Sequence, residues 1–161
     1  MKDSWKIIEE CKFNNMHECV ELLLKKNYQV SHWIRDIAMR TKTDFKSIKF
    51  PIVLMRVKLS ELSVKSATSL KTIYNLFEKN NLKLVDPLIA INSRFYYDEQ
   101  PKGEWLRFAV PFNSMIDSDG VPHLPKIGCA LGMRFLETYW SYPDAVFHPH
   151  NEFVVQKNSD I

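Results

Sequence analysis

Two histidines and a glutamate lie at alternate positions of the sequence, at His148, His150 and Glu152. In an extended segment, residues two apart project to the same side, so both imidazoles and the carboxylate can converge on one cation. Imidazole and carboxylate together suit several transition metals. This spacing predicts a metal-assisted or acid-base enzyme that uses the region or, as the alternative, a turn stiffened by Pro149 before the last strand.

Further acidic groups surround one predicted loop and one predicted turn. Asp98, Glu99 and Glu104 are candidates for acid-base chemistry, which in a glycosidase needs two carboxyl groups about 5 to 9 Å apart. The segment 117–120 (Asp-Ser-Asp-Gly) begins like a calcium-binding loop, but no glutamate occurs at the required later position. We interpret this segment as a tight turn, because Asp and Gly favour the backbone conformations that turns require.

A pair of arginines is the strongest candidate for a contact surface. The segments 93–97 and 104–110 predict two strands joined by a loop, and if Tyr97 pairs with Glu104, two arginines and two aromatic residues share one face of the hairpin. These residues are Arg94, Tyr96, Trp105 and Arg107. Since arginines directly opposite each other repel, we expect an acidic partner or a bound anion between them. The alternative is an ordinary solvated face, and a shift of the register by one residue removes the pattern.

The hairpin loop also belongs to a wider resemblance. The segment 97–106 (Tyr-Asp-Glu-Gln-Pro-Lys-Gly-Glu-Trp-Leu), the turn at 117–120 and the strand Phe-Val-Val at 153–155 resemble a small family of uncharacterised bacterial proteins. The resemblance covers the second half of the chain. It implies an intact fold and a bacterial, cytoplasmic protein, and it implies no activity.

Glycine is scarce, with only four residues in the chain and none before Gly103. A phosphate-binding loop or a dinucleotide-binding fingerprint needs several glycines between a strand and a helix, and neither pattern occurs. The serine flanked by glycines that forms a nucleophile elbow is also absent. The sequence thus excludes these three motifs, and we expect no cofactor.

The first part of the chain is basic, since residues 1–86 contain 16 Lys and Arg against 10 Asp and Glu. Within it, a predicted helical hairpin at 18–40 resembles a helix-turn-helix and offers Arg35, Arg40 and Lys42 to nucleic acid. The turn of this hairpin lacks glycine, however, and six excess charges are few for a segment of this length. The alternative is an ordinary helical hairpin that packs on a sheet.

Charge and cysteine usage predict a soluble protein of a reducing compartment. The longest stretch without Asp, Glu, Lys or Arg has nine residues, 108–116, whereas a membrane-spanning helix needs about twenty. Asp3, Glu9 and Glu10 are incompatible with the apolar segment of a signal peptide. Three cysteines cannot all pair within one chain, and they are Cys11, Cys19 and Cys129. We therefore expect a cytoplasmic protein without membrane contact.

The composition of the chain changes near residue 86. Residues 1–86 are basic and are predicted to be mainly helical, whereas 87–161 are rich in strand formers and aromatics and contain all four glycines. We expect a single α+β domain over 1–161, with N-terminal helices packed on one face of a mostly antiparallel sheet formed largely by the second half. Helices are predicted at 4–26, either continuous or interrupted near Asn14 and Asn15, and at 31–40, 69–79 and after Asp86. Strands are predicted at 50–59, 93–97, 104–110, 124–129, 133–140 and 153–156.

We favour a non-catalytic protein-interaction or regulatory module, because such a function requires no catalytic constellation. Its ligand would be a protein partner or a second copy of the chain, because Trp105, Trp140 and Tyr142 lie near predicted strand ends, and interfaces are rich in such aromatics. A deep pocket around His148 or His150 would favour the enzyme instead. A contiguous Lys and Arg face on the second helix would favour nucleic acid.

Overall fold

The computed structural model describes residues 4–41 and 48–158. Its helices are α1 (Met16–Lys25), α2 (His32–Arg40), α3 (Leu70–Lys79) and α4 (Pro87–Asn92). Its strands are β1 (Lys6–Ile8), β2 (Gln29–Val30), β3 (Ile52–Lys58), β4 (Thr68–Ser69), β5 (Leu82–Lys83), β6 (Trp105–Phe108), β7 (His123–Ala130), β8 (Met133–Trp140), β9 (Val146–Phe147) and β10 (Glu152–Lys157). The predicted α+β class is confirmed.

The helices begin where short polar side chains can cap them. Asn15, Ser31 and Ser69 accept hydrogen bonds from the backbone N–H groups two or three residues further on, which stabilises the first turns of α1, α2 and α3. Asp86 does the same for α4, whose first residue is Pro87. These local signals explain why the starts of α2, α3 and α4 match the prediction.

One large mixed sheet contains strands from both parts of the chain. Its strand order is β1-β3-β10-β6-β7-β8-β2, and β5 also pairs with β10. Most pairs are antiparallel, as predicted, whereas β10 pairs with β6 and β2 pairs with β8 in parallel. A separate two-stranded sheet joins β4 and β9. The longest ladder is the β7–β8 hairpin, which extends from His123↔Trp140 to Ala130↔Met133.

One face of the sheet packs on α3. Arg107 of β6 pairs with both Lys126 of β7 and Phe153 of β10, so these three side chains project to the same side. The ring of Phe77 in α3 meets that of Phe153 with centroids 5.8 Å apart. We call this side of the sheet the α3 face.

The opposite side of the sheet packs on α2. His123 lies three residues before Lys126 on β7 and therefore projects away from the α3 face. Trp33 of α2 stacks on the His123 ring with centroids 5.4 Å apart. α1 contacts both α2 and α4. We call this side the α2 face, and the helices thus lie on both sides of the sheet.

The N-terminal helix predicted at 4–26 is partly wrong. Residues 6–8 form β1, which pairs with β3 in the register Lys6↔Leu54 to Ile8↔Ile52, and the helix starts only after Asn15. The apolar residues of this segment suited a helical stripe as well as a strand, and pairing with a distant strand decided between the two.

The strand predicted at 93–97 is also wrong. Residues Ser93–Tyr96 form a 3-10 helix that continues directly from α4. β6 pairs instead with β7 and β10, so the hairpin between 93–97 and 104–110 does not exist. The alternating pattern Arg-Phe-Tyr-Tyr is typical of a strand, but here the buried Arg94 stabilises a helical turn through contacts with distant carbonyl groups.

Candidate ligand-binding surface

Basic and aromatic side chains share the α3 face of β6, β7 and β8. Arg107 lies opposite Lys126, and Lys126 lies opposite Glu137. Because side chains alternate along a strand, the residues two positions away from each of these project to the same side of the sheet. Each of these residues is partly exposed. We call the group the basic-aromatic face, and it consists of Trp105, Arg107, Lys126, Glu137 and Tyr139.

Arg107 is held by rings and lacks an ionic partner. Its guanidinium carbon lies 5.6 Å from the ring centroid of Tyr139 and 5.9 Å from that of Phe147. Its Nε atom is buried and has no hydrogen-bond partner, and no carboxylate partner for this guanidinium occurs in 4–41 or 48–158. Burial lowers the pKa of Arg107, because charge is costly to remove from water. An anion at this site would recover part of that cost.

Lys126 adds a second positive charge beside the first. Its ammonium lies 4.8 Å from the ring centroid of Trp105 and 5.8 Å from that of Tyr139. Burial lowers the pKa of Lys126, the charge of Arg107 lowers it further, and the charge of Glu137 offsets part of the change. The two cations occupy adjacent register positions and repel each other, so a bound anion beside them would be stabilising.

The indole of Trp105 lies directly on the backbone of β7. A Cβ atom at Gly128 would come within 2.5 Å of the indole carbons, so only glycine permits this position. Phe135 of β8 is the other register partner of Gly128, and the centroid of its ring lies 6.2 Å from that of the Trp105 indole. The register and the missing side chain of Gly128 together fix the aromatic part of the face.

A shallow cavity opens beside Arg107. Its volume is about 310 Å³, and it lies between β6 and the segment that leads into β10. The residues that line it are Gly103, Trp105, Arg107, His150, Asn151 and Glu152. A small anionic group of a ligand can therefore approach the guanidinium from solvent.

The structure separates the four residues predicted to form a surface. Trp105 and Arg107 come together as expected, whereas Arg94 is fully buried and Tyr96 is 37% exposed in the 3-10 helix. The predicted pairing of Arg94 with Arg107 is wrong, because no hairpin joins their segments. Lys126 takes the place opposite Arg107.

Arg94 has a structural role in the core. Its guanidinium donates hydrogen bonds to the side chain of Gln100 at 2.8 Å and to the carbonyls of Gly128 and Phe135, each at 3.1 Å, and it also donates to the carbonyl of Tyr97. Burial lowers the pKa of Arg94. The buried arginine thus joins the 3-10 helix to β7 and β8 and has no access to a ligand.

The residues proposed for a metal site do not converge. The rings of His148 and His150 stack with centroids 5.8 Å apart and planes 10° apart. Both oxygens of Glu152 accept hydrogen bonds from Arg56, at 2.7 and 2.8 Å. Across the described ranges, no group of three or more His, Cys, Asp or Glu residues is arranged to hold a metal ion.

Glu104, one of the carboxylates proposed for acid-base chemistry, is also engaged in an ion pair. Arg56 bridges Glu152 and Glu104, whose Oε2 lies 3.0 Å from the guanidinium, and it donates to the Tyr97 hydroxyl at 3.0 Å. The hydrogen bond to Glu152 is the largest cause that raises the pKa of Arg56, although burial opposes it. This cluster forms a structural ion network that joins β3, β10 and Glu104, the residue before β6.

The helical hairpin proposed for nucleic acid packs on the sheet. Ile34 and Ile37 of α2 are fully buried, and Arg40 forms an ion pair with Asp36 at 3.7 Å and donates to the carbonyl of Ile116. Arg35 is exposed. Lys42 lies outside the described residues.

Sequence reasoning missed Lys126, Tyr139 and Gly128 as members or supports of the surface. The predicted strands at 124–129 and 133–140 contained all three, but the neighbour of β6 was assigned incorrectly. The glycine inside a strand was the available signal, because such a residue often marks a close approach by another group.

Comparison with protein-family models, with curated proteins and with solved structures found no match. The resemblance to a bacterial family therefore stays a prediction. Within the described part of the chain, every helix is too short or too polar to cross a membrane.

Proposed function

We propose that this chain is a protein-interaction module that binds an acidic group of a partner protein on the basic-aromatic face. One observation carries the proposal: Arg107 is partly buried and lines a solvent-open cavity, its Nε atom has no hydrogen-bond partner, and no carboxylate neutralises it in the described residues. Native proteins rarely leave a buried donor unsatisfied, so each such donor calls for an explanation. A carboxylate of a partner that enters this cavity would neutralise the guanidinium, and binding needs no catalytic step.

The chemistry of the surroundings favours a protein ligand. Arginine, tryptophan and tyrosine are the residues that dominate binding energy at protein interfaces, and Arg107, Trp105 and Tyr139 occur together here. Trp140 and Tyr142, which follow Tyr139, are 62% and 41% exposed. Trp140 is the register partner of His123 and projects to the α2 face, so it adds a second exposed aromatic surface on the opposite side of the sheet. A second copy of the chain is one form that such a partner can take.

The compartment belongs to the same proposal. Cys11, Cys19 and Cys129 are all free, which fits the reducing environment of a cytoplasm. The bacterial origin rests on the resemblance of the second half alone. A cytoplasmic partner with exposed Asp or Glu side chains is therefore the ligand that we propose.

A peptide titration tests this function. Binding of a short polyglutamate peptide would be followed by the fluorescence of Trp105, with every other tryptophan replaced by phenylalanine. We expect saturable binding that weakens about tenfold or more in Arg107→Gln, because a charge-assisted hydrogen bond is lost. The matched control is Arg35→Gln, which removes an exposed arginine of α2 and should leave the affinity unchanged. Equal affinities of wild type and Arg107→Gln would exclude the proposed surface.

Self-association is tested separately by sedimentation. If the partner is a second copy, the wild-type protein should dimerise at micromolar concentration, and added polyglutamate should compete with the dimer. A monomer that binds the peptide indicates a different protein as the partner.

A further inference from the structure

Three side chains away from the Arg107 pocket form a continuous hydrogen-bonded chain. Asp117 Oδ2 lies 2.8 Å from His123 Nε2, and His123 Nδ1 lies 3.0 Å from Thr138 Oγ1. Asp117 and His123 are each 2% exposed. A carboxylate, an imidazole and a hydroxyl in this order have the arrangement by which proteins activate a hydroxyl nucleophile.

The partners of the imidazole determine which nitrogen carries the proton. The carboxylate of Asp117 can only accept a hydrogen bond, so a neutral His123 carries its proton on Nε2 and donates it there. Nδ1 then has a free lone pair, and the Thr138 hydroxyl donates to it. The base is therefore already directed at the proton that it would remove.

A tight turn holds the carboxylate in place. Asp117 Oδ1 accepts the backbone N–H groups of Asp119 at 2.8 Å and Val121 at 3.0 Å, while Gly120 N–H donates to the Asp117 carbonyl. Burial tends to raise the pKa of Asp117, but the hydrogen bonds from His123, Val121 and Asp119 outweigh it and lower the pKa below its ordinary value. The carboxylate is thus ionised and rigid.

The hydroxyl faces a cavity that a ligand can enter. β2 pairs with β8 only at Phe135 and Leu136, and a cavity of about 290 Å³ lies beside the following residues of β8. Its lining consists of Trp33, His123, Glu137, Thr138, Tyr139 and Trp140. Both the base and the hydroxyl therefore contact the same space.

From this geometry we propose that Thr138 is a nucleophile that takes an acyl group from an activated ester, with His123 as its general base and Asp117 as a positioning residue. In the first step, the Thr138 proton moves to His123 Nδ1, and Oγ1 attacks the carbonyl carbon. The bond from that carbon to the leaving oxygen then breaks, and His123 returns the proton to this oxygen. The products are the free alcohol and O-acylated Thr138.

Water completes the cycle. His123 Nδ1 removes a proton from a water molecule, whose oxygen attacks the acyl carbon. Thr138 leaves with the proton from His123, and the carboxylic acid is released. Overall, one ester and one water give one alcohol and one acid.

The walls of the cavity define the acyl group. The indoles of Trp33 and Trp140 offer flat apolar surfaces to the acyl group. An uncharged acyl group is therefore the substrate class.

The test uses p-nitrophenyl acetate and mass spectrometry of the digested protein. In wild type, acetylation of Thr138 should exceed that of Thr68, whose hydroxyl donates only to the Ser66 carbonyl. Thr138→Ser should still be labelled at that position. His123→Gln should lower the labelling of Thr138 on the order of 100-fold, as expected for loss of a general base.

Two further measurements exclude an effect of unfolding. Asp117→Asn preserves the side-chain oxygen that caps the turn, but its amide would donate to Nε2 and leave the proton on Nδ1, so labelling should fall while circular dichroism stays unchanged. In the wild type, nitrogen NMR of His123 should show protonated Nε2 and unprotonated Nδ1. Labelling of Thr138 no faster than that of Thr68, or a proton on Nδ1, would overturn the proposal.

Discussion

The indole ring of Trp105 lies against the backbone of Gly128, so close that a Cβ atom at residue 128 would be 2.5 Å from its carbons. The two residues are direct register partners on β6 and β7. The position of the indole in turn supports the ammonium of Lys126, 4.8 Å from the ring centroid. The absence of one side chain therefore shapes the surface on which Arg107 lies.

Gly128→Ala should destabilise the protein by about 1–3 kcal/mol, because the indole has to leave its position. Urea unfolding followed by circular dichroism measures the change. The control is the same substitution in a Trp105→Ala background, where the added methyl group meets no ring and should cost much less. Equal costs in the two backgrounds would show that the contact with Trp105 does not limit residue 128.

Arg94→Met should destabilise the fold by about 1–3 kcal/mol or more, because the carbonyls of Gly128 and Phe135 lose a donor inside the protein. The matched control is Arg134→Met, since Arg134 is an exposed arginine with a 3.6 Å ion pair to Asp98. Its effect should stay within about 0.5 kcal/mol. Similar effects at both positions would contradict a structural role for Arg94.

Asp117 should make the free energy of unfolding depend on pH in the acidic range. Its pKa is lower in the folded protein than its ordinary value of 3.8, so the folded state binds this proton less readily than the unfolded state. The stabilisation is present above the ordinary pKa and is lost as the pH falls through the folded value. The urea midpoints of wild type and Asp117→Asn should therefore converge as the pH falls from 6 towards 2. A constant difference over that range would contradict the lowered pKa.

Local signals in the sequence were sufficient for several elements. Ser31, Ser69 and the pair Asp86-Pro87 predicted helix starts correctly, because a cap acts on backbone groups only two or three residues away. β8 was predicted with its observed bounds, Met133–Trp140, since its residues favour strands and Gly132 ends the preceding turn with a φ of +74°.

Long-range pairing was not predictable in the same way. The 3-10 helix at Ser93–Tyr96 depends on hydrogen bonds from Arg94 to β7 and β8, more than thirty residues away in the chain. The residue that lies opposite Arg107 depends on the order of the strands in the sheet. The alternation of side chains along one strand does not reveal that order. Two of the four predicted surface residues, Trp105 and Arg107, thus share a face for a reason different from the predicted one.

The most direct test of the interaction surface is the Arg107 Nε–H resonance in a nitrogen-labelled sample titrated with a short polyglutamate peptide. The buried Nε–H lacks an acceptor, so a bound carboxylate should shift its resonance in a saturable manner. The Nε–H of Arg134, which already donates to the carbonyl of Asp98 at 3.1 Å, is the internal control and should stay constant. An Arg107 resonance that does not move, or one that moves only in parallel with that of Arg134, would contradict the proposed function.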